Sequence, residues 1–268
     1  MSAETIFQLS NVSYRYPGGD DALTEITLRI YRGESLAVLG ANGCGKSTLL
    51  KLLDGLLFAR EGTILAFGET LNETNLAREE FNHFFRRQVG FVFQNSEAQL
   101  FNPTVWDEII FGPLQMNLSE AEVRRRGEEI IQLLGLERIK NRPTFKLSGG
   151  EKKKVALASV LVTNPEVLLL DEPTSGLDPR TRRWLINFIG QLRAAGKTIV
   201  TATHDLDVVG EIACRALVLN EEHRLTATGE PEEIFRNREL LIEANLIDES
   251  FHRHLHADGH RHYHTHEK

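Results

Sequence analysis

A phosphate-binding loop is the feature of this sequence that most narrows its fold. Residues 40–47 fit the pattern G-x-x-x-x-G-K-[ST] at every fixed position. The apolar run 35–39 precedes the loop, and residues 48–53 continue as a helical pattern. A strand, a glycine-rich turn and a helix in this order aim backbone N–H groups and a helix dipole at phosphate oxygens. The sequence therefore predicts an α/β fold that binds a nucleoside triphosphate.

Separate roles are expected for the side chains of this loop. Lys46 should reach the β and γ phosphates, and the Ser47 hydroxyl should be a Mg²⁺ ligand. The alternative is a glycine-rich turn that happens to precede a helix, and the flanking strand and helix patterns disfavour it. The residues expected to contact the nucleotide here are Gly40, Asn42, Gly43, Cys44, Gly45, Lys46, Ser47 and Thr48.

Two adjacent acids end an apolar run further along the chain. Residues 167–170 are all apolar and predict a central parallel strand, which ends at Asp171 and Glu172. A carboxylate at that point is costly unless it is paired. Coordination of Mg²⁺ through water accounts for Asp171, and Glu172 is then placed as the general base that polarises a water toward the γ-phosphate. The alternative is that both acids cap the following helix.

A short glycine motif precedes the acidic pair by about twenty residues. Residues 147–151 read Leu-Ser-Gly-Gly-Glu and resemble the signature motif of ATP-binding cassette (ABC) ATPases. Gln94 resembles the Q-loop of that family, residues 175–178 its D-loop, His204 its switch histidine and Tyr16 the aromatic that stacks on adenine. The resemblance covers roughly residues 5–235, and its motifs occur in the family's order.

The resemblance implies a nucleotide site shared between two cassettes. Ser148 with two glycines opens a helix and forms a second anion-binding helix start. In the family this motif closes on the γ-phosphate held by a partner cassette, so a homodimer or a heterodimer with a related cassette is expected, with ATP and Mg²⁺ as cofactors. The implied catalytic residues are Glu172, His204, Gln94 and Lys46; the implied Mg²⁺ ligands are Ser47, Gln94 and Asp171; further nucleotide contacts are Tyr16, Ser148, Gly149, Gly150 and Asp178.

Some of these residues have simpler explanations or depart from the family pattern. His204 could be a strand-end histidine bonded to backbone, and Gln94 is ambiguous by itself. Position 151 is Glu where the family usually has Gln, a change expected to affect turnover or the closed dimer without inactivating the site. Residues 152–154 are all lysine, and a charge run of this kind predicts a solvated helix face.

Composition limits the possible classes of protein. At 268 residues the chain can bury one large core or two unequal ones, and its net charge of −7 disfavours a nucleic-acid surface. No run approaches the ~20 apolar residues of a membrane helix, and residues 1–4 lack the features of a secretory signal. Two cysteines, Cys44 and Cys214, suit a reducing compartment, with a redox role for Cys44 as the alternative. A cytosolic protein is predicted, peripheral on the cytoplasmic face of the membrane if the resemblance holds.

The expected fold is a P-loop NTPase of the ABC ATPase type. It has a mixed sheet core, an antiparallel β subdomain over residues 5–70 and an inserted α-helical subdomain over about 97–163. Residues 119–122 predict a capping box for a helix that ends before Gly135. The ATPase domain is assigned to 1–235, a C-terminal helical extension to 236–250 and a disordered, His-rich tail to 251–268.

The segment that follows Gln94 indicates what the ATPase drives. Residues 95–113 resemble the corresponding segment of energy-coupling-factor importers for vitamins and for cobalt or nickel. In that family the segment lies against coupling helices of integral membrane subunits. The apolar residues expected to form the receiving groove, or alternatively to pack inside the subdomain, are Leu100, Phe101, Val105 and Trp106.

The tail favours a metal substrate over a vitamin. Imidazole suits nickel, cobalt, zinc and copper, and H-x-H spacing lets several rings converge on one ion. An expression tag and a merely soluble terminus are the alternatives. The function predicted is ATP hydrolysis that drives nickel or cobalt uptake; a vitamin importer, a non-transport ABC ATPase with a metal-sensing tail and a metal-binding regulator with a vestigial cassette are the other hypotheses. The tail histidines are His252, His254, His256, His260, His262, His264 and His266.

Overall fold

The computed structural model describes residues 4–248, 251–255 and 261–265. Its strands are β1 Thr5–Arg15, β2 Asp21–Tyr31, β3 Ser35–Leu39, β4 Glu61–Ala66, β5 Glu69–Thr70, β6 Val89–Val92, β7 Val167–Asp171, β8 Thr198–Thr203, β9 Arg215–Leu219, β10 Leu225–Gly229, β11 Phe251–Leu255 and β12 Arg261–Thr265. Its helices are α1 Lys46–Leu53, α2 Glu73–Leu76, α3 Glu79–Gln88, α4 Ser96–Gln99, α5 Val105–Gln115, α6 Glu120–Leu134, α7 Gly149–Leu161, α8 Pro179–Ala194, α9 Leu206–Ile212, α10 Pro231–Arg236 and α11 Arg238–Glu243. The chain divides into two compact units, Met1–Glu73 with Phe188–Lys268, and Thr74–Asn187.

The two larger sheets of the first unit carry its nucleotide-site candidates. Strands β2, β1, β4 and β5 form an antiparallel sheet in that order, with Leu9 opposite Leu28 on one side and Ile64 on the other. Strand β3 pairs in parallel with β8 and β9, and β10 adds antiparallel to β9, so this second sheet is mixed. Every residue of β3 is buried, as the apolar run predicts for a strand covered on both faces. The phosphate loop therefore leaves the carboxyl end of an internal strand.

The second unit combines a parallel strand pair with helices. Strands β6 and β7 pair in register from Val89–Val167 to Val92–Leu170. All nine residues of the two strands are buried, which again fits their apolar sequences. Helices α3 to α7 belong to this unit, and α4 to α7 fall in the range where the sequence predicted a helical subdomain.

Ser119 and Gly135 fix where α6 begins and ends. Ser119 accepts a hydrogen bond from the N–H of Glu122 at 3.3 Å, and Gly135 ends the helix in the left-handed conformation with φ of 66°. Only this half of the predicted capping box forms, because the Glu122 carboxylate pairs with Arg125 and Arg126 instead. The helix boundaries nevertheless agree with the sequence prediction.

The tail contains two short strands. β11 and β12 pair antiparallel, with position 252 opposite 264 and position 254 opposite 262. This differs from the sequence-based expectation of a disordered tail over 251–268. The predicted metal ligands His256, His260 and His266 lie outside the described residues.

Candidate nucleotide-binding site

The phosphate loop in the first unit has backbone geometry that requires glycine. Gly40, Gly43 and Gly45 have φ of 152°, 89° and 110°, a region that residues with a Cβ rarely occupy. A Cβ on Gly45 would also collide with the carbonyl oxygen of Ala22. The helix α1 begins at Lys46 immediately after the loop. The loop therefore has the bare backbone and the helix start that a phosphate group can approach.

The Lys46 ammonium lies at the centre of the loop. It is buried, and its Nζ donates to the main-chain oxygens of Gly40 at 2.8 Å and Ala41 at 3.0 Å. Ser47 is half-buried at the first turn of α1, and Asn42 and Gly43 are exposed on the loop. A buried cation next to an exposed glycine-rich loop is an arrangement that binds polyphosphate.

The predicted adenine-stacking residue lies in the same unit. The Tyr16 ring is 38% exposed and packs edge-on against Tyr14, with ring centroids 5.0 Å apart. Its hydroxyl shares a hydrogen bond of 3.2 Å with Thr48, in the first turn of α1. Tyr16 also lines a cavity of about 550 Å³ together with Gly18 and Arg60. An aromatic face beside a cavity and tied to the phosphate-loop helix is suited to hold a base.

His204 directly follows the strand β8. The side chain is exposed, and the next residue is anchored because the N–H of Asp205 donates to Thr203 Oγ1 at 3.1 Å. Because β8 pairs with β3 in parallel, the carboxyl ends of both strands lie at one edge of their sheet, so His204 and the phosphate loop leave the same edge.

The acidic pair belongs to the second unit, at the carboxyl end of β7. Asp171 and Glu172 are each 5% exposed. Glu172 has φ of 41°, a left-handed conformation that costs a residue with a side chain roughly 1–3 kcal/mol. Backbone strain of this kind concentrates at functional sites, where the surrounding structure holds it.

Lys153 contradicts the prediction that residues 152–154 form a solvated helix face. It is 3% exposed, and its Nζ donates to the main-chain oxygen of Phe93 at 3.2 Å. Burial lowers the pKa of Lys153 to about 8, and the charges of Asp171 and Glu172 act in the opposite direction. Helical periodicity could have revealed this, since Ala156 and Leu157, three and four residues later, are fully buried.

The other two lysines of the run are also engaged. Lys152 forms an ion pair with Glu97, and the Lys154 ammonium lies 4.4 Å from the centroid of the Trp184 ring. The aliphatic stems of such side chains cover neighbouring surface while the charged ends find partners. The prediction of a solvated helix face is therefore wrong for Lys153, while Lys152 and Lys154 are half-buried and engaged by partners.

Gln94 is exposed and lies on a loop, two residues after the end of β6. The residue before it, Phe93, is hydrogen-bonded through both its N–H and its carbonyl group. The N–H of Phe93 donates to Gln99 Oε1 at 3.0 Å, and its carbonyl accepts from Lys153. The Gln99 amide donates in turn to the main-chain oxygen of Ala156 in α7, at 3.2 Å. The Q-loop candidate is thus attached to the helix that carries the signature motif.

The signature motif forms the start of α7. Ser148 accepts a hydrogen bond from the N–H of Glu151 at 3.4 Å, and Glu151 Oε2 accepts from the N–H of Ser148 at 2.8 Å, which completes a capping box. Glu151 Oε1 also accepts from Arg142 Nη1 at 3.0 Å. The carboxylate that departs from the family's usual Gln is therefore neutralised by an arginine that the sequence analysis did not single out.

A positively charged cavity lies in front of this helix start. It has a volume of about 870 Å³ and includes the backbone of Gly149 and Gly150. Its charged lining is mostly cationic. The residues are Arg138, Arg142, Lys154 and Arg180, with the acids Glu151 and Asp178. Glycine backbone, a helix N-terminus and four cations form a surface that attracts a polyphosphate.

Asp178 lies on the rim of this cavity and caps α8. Its Oδ1 accepts from the N–H groups of Arg180 at 3.0 Å and Thr181 at 3.1 Å, and its Oδ2 accepts from the Thr181 hydroxyl at 2.6 Å. These hydrogen bonds, led by that of the Thr181 hydroxyl, lower the pKa of Asp178. The Asp-Pro helix start expected from the sequence is present, with Pro179 as the first residue of α8.

The predicted membrane-docking residues divide into exposed and packed side chains. Phe101 is 66% exposed and meets Phe111 edge-on at 5.0 Å, and Leu100 is half-buried. Val105 is fully buried, and the Trp106 ring is covered by the Lys140 ammonium at 4.0 Å. Val105 therefore packs inside the unit, whereas Trp106 is half-buried and paired with Lys140.

Within residues 4–248, no group of three or more His, Cys, Asp or Glu side chains could hold a metal ion. None of the helices described is both long and apolar enough to cross a bilayer.

Known proteins are similar to this chain over most of its length. The family model for the ABC transporter matches residues 23–175. The nickel import ATP-binding protein NikO of Rhodobacter capsulatus is 46% identical over 244 residues, 90% of this chain and 95% of that protein. The structure of cbiO1 from Clostridium perfringens, part of the ABC transporter complex cbiONQ, has a TM-score of 0.77 at 37% identity and covers 91% of this chain and 95% of that chain. A dimeric ATP-binding cassette bound to ADP and Pi has a TM-score of 0.76 at 29% identity, covering 84% and 99%.

The chain belongs to the ABC transporter family and is one of its ATP-binding cassettes. It is an ATPase of the kind whose hydrolysis is coupled to transport, with ATP as substrate and Mg²⁺ as the metal cofactor. The predicted family and fold class are confirmed. The structure assigns Tyr16, the phosphate loop and His204 to the first unit, and Gln94, the signature motif, the acidic pair and Asp178 to the second. The individual roles of these residues remain predictions.

Proposed function

We propose that this chain is the ATP-hydrolysing subunit of an energy-coupling-factor importer for nickel or cobalt ions, bound to the cytoplasmic face of the membrane. The observation that carries the proposal is the similarity over 90% or more of the chain to a nickel import ATP-binding protein and to cbiO1. The buried Lys46 and the strained, buried Glu172 support a cassette that hydrolyses ATP, since these features are costly without a function.

The residues of the site fit the chemistry of ATP hydrolysis. Lys46 and the loop N–H groups bind the β and γ phosphates, and Tyr16 stacks on adenine. Glu172 accepts a proton from the water that attacks the γ-phosphorus, the bond to the bridging oxygen breaks, and ADP and phosphate leave. His204 contacts the γ-phosphate and keeps the attacking water in line.

The oxygen-rich donor set of this chain fits Mg²⁺. Ser47 offers a hydroxyl, Gln94 an amide oxygen and Asp171 a buried carboxylate, and Mg²⁺ prefers oxygen ligands and retains several waters. When bound, the ion neutralises charge on the phosphates. The side chains of this chain supply the remaining functions of binding, orientation and proton transfer.

The cationic cavity at the start of α7 is the part of the site that a partner cassette would use. Ser148, Gly149 and Gly150 present a hydroxyl and bare backbone, and the cavity of about 870 Å³ around them can admit a polyphosphate. We therefore assign these residues, with Asp178 on the rim, to the ATP held by a second cassette. A single copy would hydrolyse ATP poorly.

An exposed apolar patch is available for the membrane subunits. Phe101, Phe111 and Leu114 are 66%, 39% and 47% exposed, and all three lie in or next to the segment that resembles the docking region of these importers. Large exposed apolar side chains grouped in this way mark interaction surfaces. Coupling helices of integral membrane subunits are the partners proposed for this patch.

Uptake by the assembled transporter tests the proposed substrate. The chain is co-purified with its integral membrane subunits, which are identified by mass spectrometry, and the complex is reconstituted in vesicles with internal ATP. Accumulation of radioactive Ni²⁺ or Co²⁺ is expected, and Glu172→Gln should abolish it while ATP binding persists. Accumulation of a vitamin in place of either metal ion would refute the metal substrate and leave the ATPase role intact.

We further propose that the His-rich tail binds transition-metal ions. In the antiparallel register of β11 and β12, positions 252 and 264 are opposite each other, as are 254 and 262, and alternate residues of a strand share a face. These four positions are all histidine, so four imidazole-bearing residues occupy one face of the strand pair. Histidines in such a set suit Ni²⁺ and Co²⁺.

Calorimetric titration with Ni²⁺ and Co²⁺ tests the tail. The full chain should bind more metal than a chain that ends at residue 250, and binding should weaken below about pH 6 because imidazole must be neutral to coordinate. In a matched control, Arg253 and Tyr263 are replaced by serine. These two positions pair with each other between the two histidine pairs. Equal uptake by the full and shortened chains would remove the tail proposal.

A further inference from the structure

Lys153 is a buried cation that the roles assigned above do not use. It lies in the second turn of α7 and is 3% exposed. A lysine is almost never buried to this extent unless its charge is paired. β6 and β7 pair in parallel register up to Val92 and Leu170, so Phe93, which accepts the Lys153 hydrogen bond, lies beside Asp171 at the ends of the two strands. Lys153 and the acidic pair all belong to the second unit, and the charges of both acids act on the lysine.

The acidic pair explains why the lysine stays in this place. Two neighbouring buried carboxylates repel each other, and a buried charge without a counter-ion is strongly destabilising. Burial lowers the pKa of Lys153, while both carboxylates raise it. The attraction of the two anions therefore offsets the free energy that the ammonium loses on leaving water.

The same ammonium also fixes the backbone that leads into Gln94. Its Nζ donates to the carbonyl of Phe93 at 3.2 Å, and the N–H of Phe93 is held by Gln99. Lys153 thus contacts the segment before the Q-loop candidate from a helix whose first residues form the signature motif. One side chain links three motifs of the second unit.

We propose that Lys153 is a positioning residue for ATP hydrolysis, whose positive charge balances Asp171 and Glu172 and whose hydrogen bond fixes the backbone before Gln94. The inference rests on the proposed role of Glu172 as general base. The proposed role of Lys153 requires its positive charge. A neutral side chain of similar shape therefore cannot replace Lys153, whereas arginine can.

Metal binding separates this role from simple packing. Removing a cation from the neighbourhood of Asp171 strengthens its attraction for a divalent ion, whereas a merely structural defect would weaken it. With adenylyl imidodiphosphate present, Mn²⁺ binding followed by electron paramagnetic resonance should become at least about threefold tighter in Lys153→Met. Lys153→Arg should bind Mn²⁺ like the wild type. Unchanged or weaker Mn²⁺ binding by a folded Lys153→Met protein overturns the proposal.

Steady-state kinetics give the second readout. In the assembled complex, Lys153→Met and Lys153→Gln should lower kcat by about tenfold, with KM for ATP changed less than about threefold. Lys153→Arg should recover most of kcat. The matched control is Lys152→Met, which removes the same charge one residue away on α7 and leaves kcat unchanged. A Gln variant with wild-type kcat shows that a hydrogen bond alone suffices, which refutes the role of the charge.

A double substitution keeps the test valid if Lys153→Met folds poorly. Lys153→Met combined with Glu172→Gln removes one charge of each sign, so its melting temperature should exceed that of Lys153→Met alone. Additive loss of stability would contradict charge pairing. The Glu172→Gln variant separates the two hypotheses. If it keeps full turnover, Glu172 is not the general base. If it loses turnover while Lys153→Met has normal turnover, only the role of Lys153 is refuted.

Discussion

Replacing Glu151 by glutamine tests how the start of α7 is held. One carboxylate oxygen of Glu151 accepts from the Ser148 N–H at 2.8 Å and the other from Arg142 at 3.0 Å. The Ser148 backbone hydrogen bond, with the neighbouring arginine, lowers the pKa of Glu151. A glutamine amide has only one oxygen, so its NH₂ group must face one of these two donors. One charge-assisted hydrogen bond is therefore lost.

The expected cost of Glu151→Gln is about 1 kcal/mol in the free energy of unfolding, the typical value of a helix cap. The Glu151 side chain is 31% exposed, so solvent screens its charge and we expect no larger effect. A loss of this size lowers the melting temperature by about 2–4 °C. The substitution also removes an anion from the cationic cavity, so KM for ATP should fall by about twofold in the paired cassette.

The pH dependence of the melting temperature shows whether the Glu151 charge stabilises the fold. Because the pKa of Glu151 is lowered on folding, its stabilisation is present above the ordinary Glu pKa and is lost as pH falls through the lowered value. The difference between wild type and Glu151→Gln should therefore be full at pH 7 and narrow below about pH 4. The control is Glu120→Gln, an exposed position in the first turn of α6. Equal melting of wild type and Glu151→Gln at pH 7, or a gap that stays constant down to pH 3, would refute the reasoning.

Three further substitutions have defined outcomes. Gly45→Ala should abolish ATP binding in a fluorescent-nucleotide titration, because the new Cβ collides with the Ala22 carbonyl at a φ of 110°; retained affinity would show that the loop relaxes. Tyr16→Ala should weaken ATP binding by about tenfold through lost stacking, whereas Tyr16→Phe should stay within about threefold of wild type; equal loss in both variants would assign the effect to the hydroxyl. Gly127→Ala should lower the free energy of unfolding in urea by about 1–3 kcal/mol, because its Cβ would lie 2.8 Å from the Trp106 ring; a neutral change would mean that the ring shifts freely.

Features set by local chemistry could be predicted from the sequence. The phosphate loop, the buried strand before it and the helix after it all occur where the motif placed them, because glycines at left-handed positions and an apolar run each act within a few residues. Gly135 ends α6 for the same kind of reason. The order of motifs also identified the family, which the comparisons confirm.

Features that depend on which of several possible partners a side chain contacts could not be predicted in the same way. Glu122 fits a capping box but pairs with arginines, and Val105 fits a docking groove but packs inside its unit. Glu151 departs from the family pattern, and only the structure shows that Arg142 neutralises its charge. In each case, several environments were compatible with the local sequence.

By itself, the amino-acid sequence determined that this protein is an ATP-binding cassette, since its phosphate loop, signature and acidic strand end are contiguous motifs whose chemistry is local. The tertiary structure alone decided that the charge of Lys153 acts on Asp171 and Glu172, residues eighteen and nineteen positions away in the chain. The physical reason is that the energy of a charge depends on its solvation and on its neighbours in space, and neither is fixed until the helix packs against the strand.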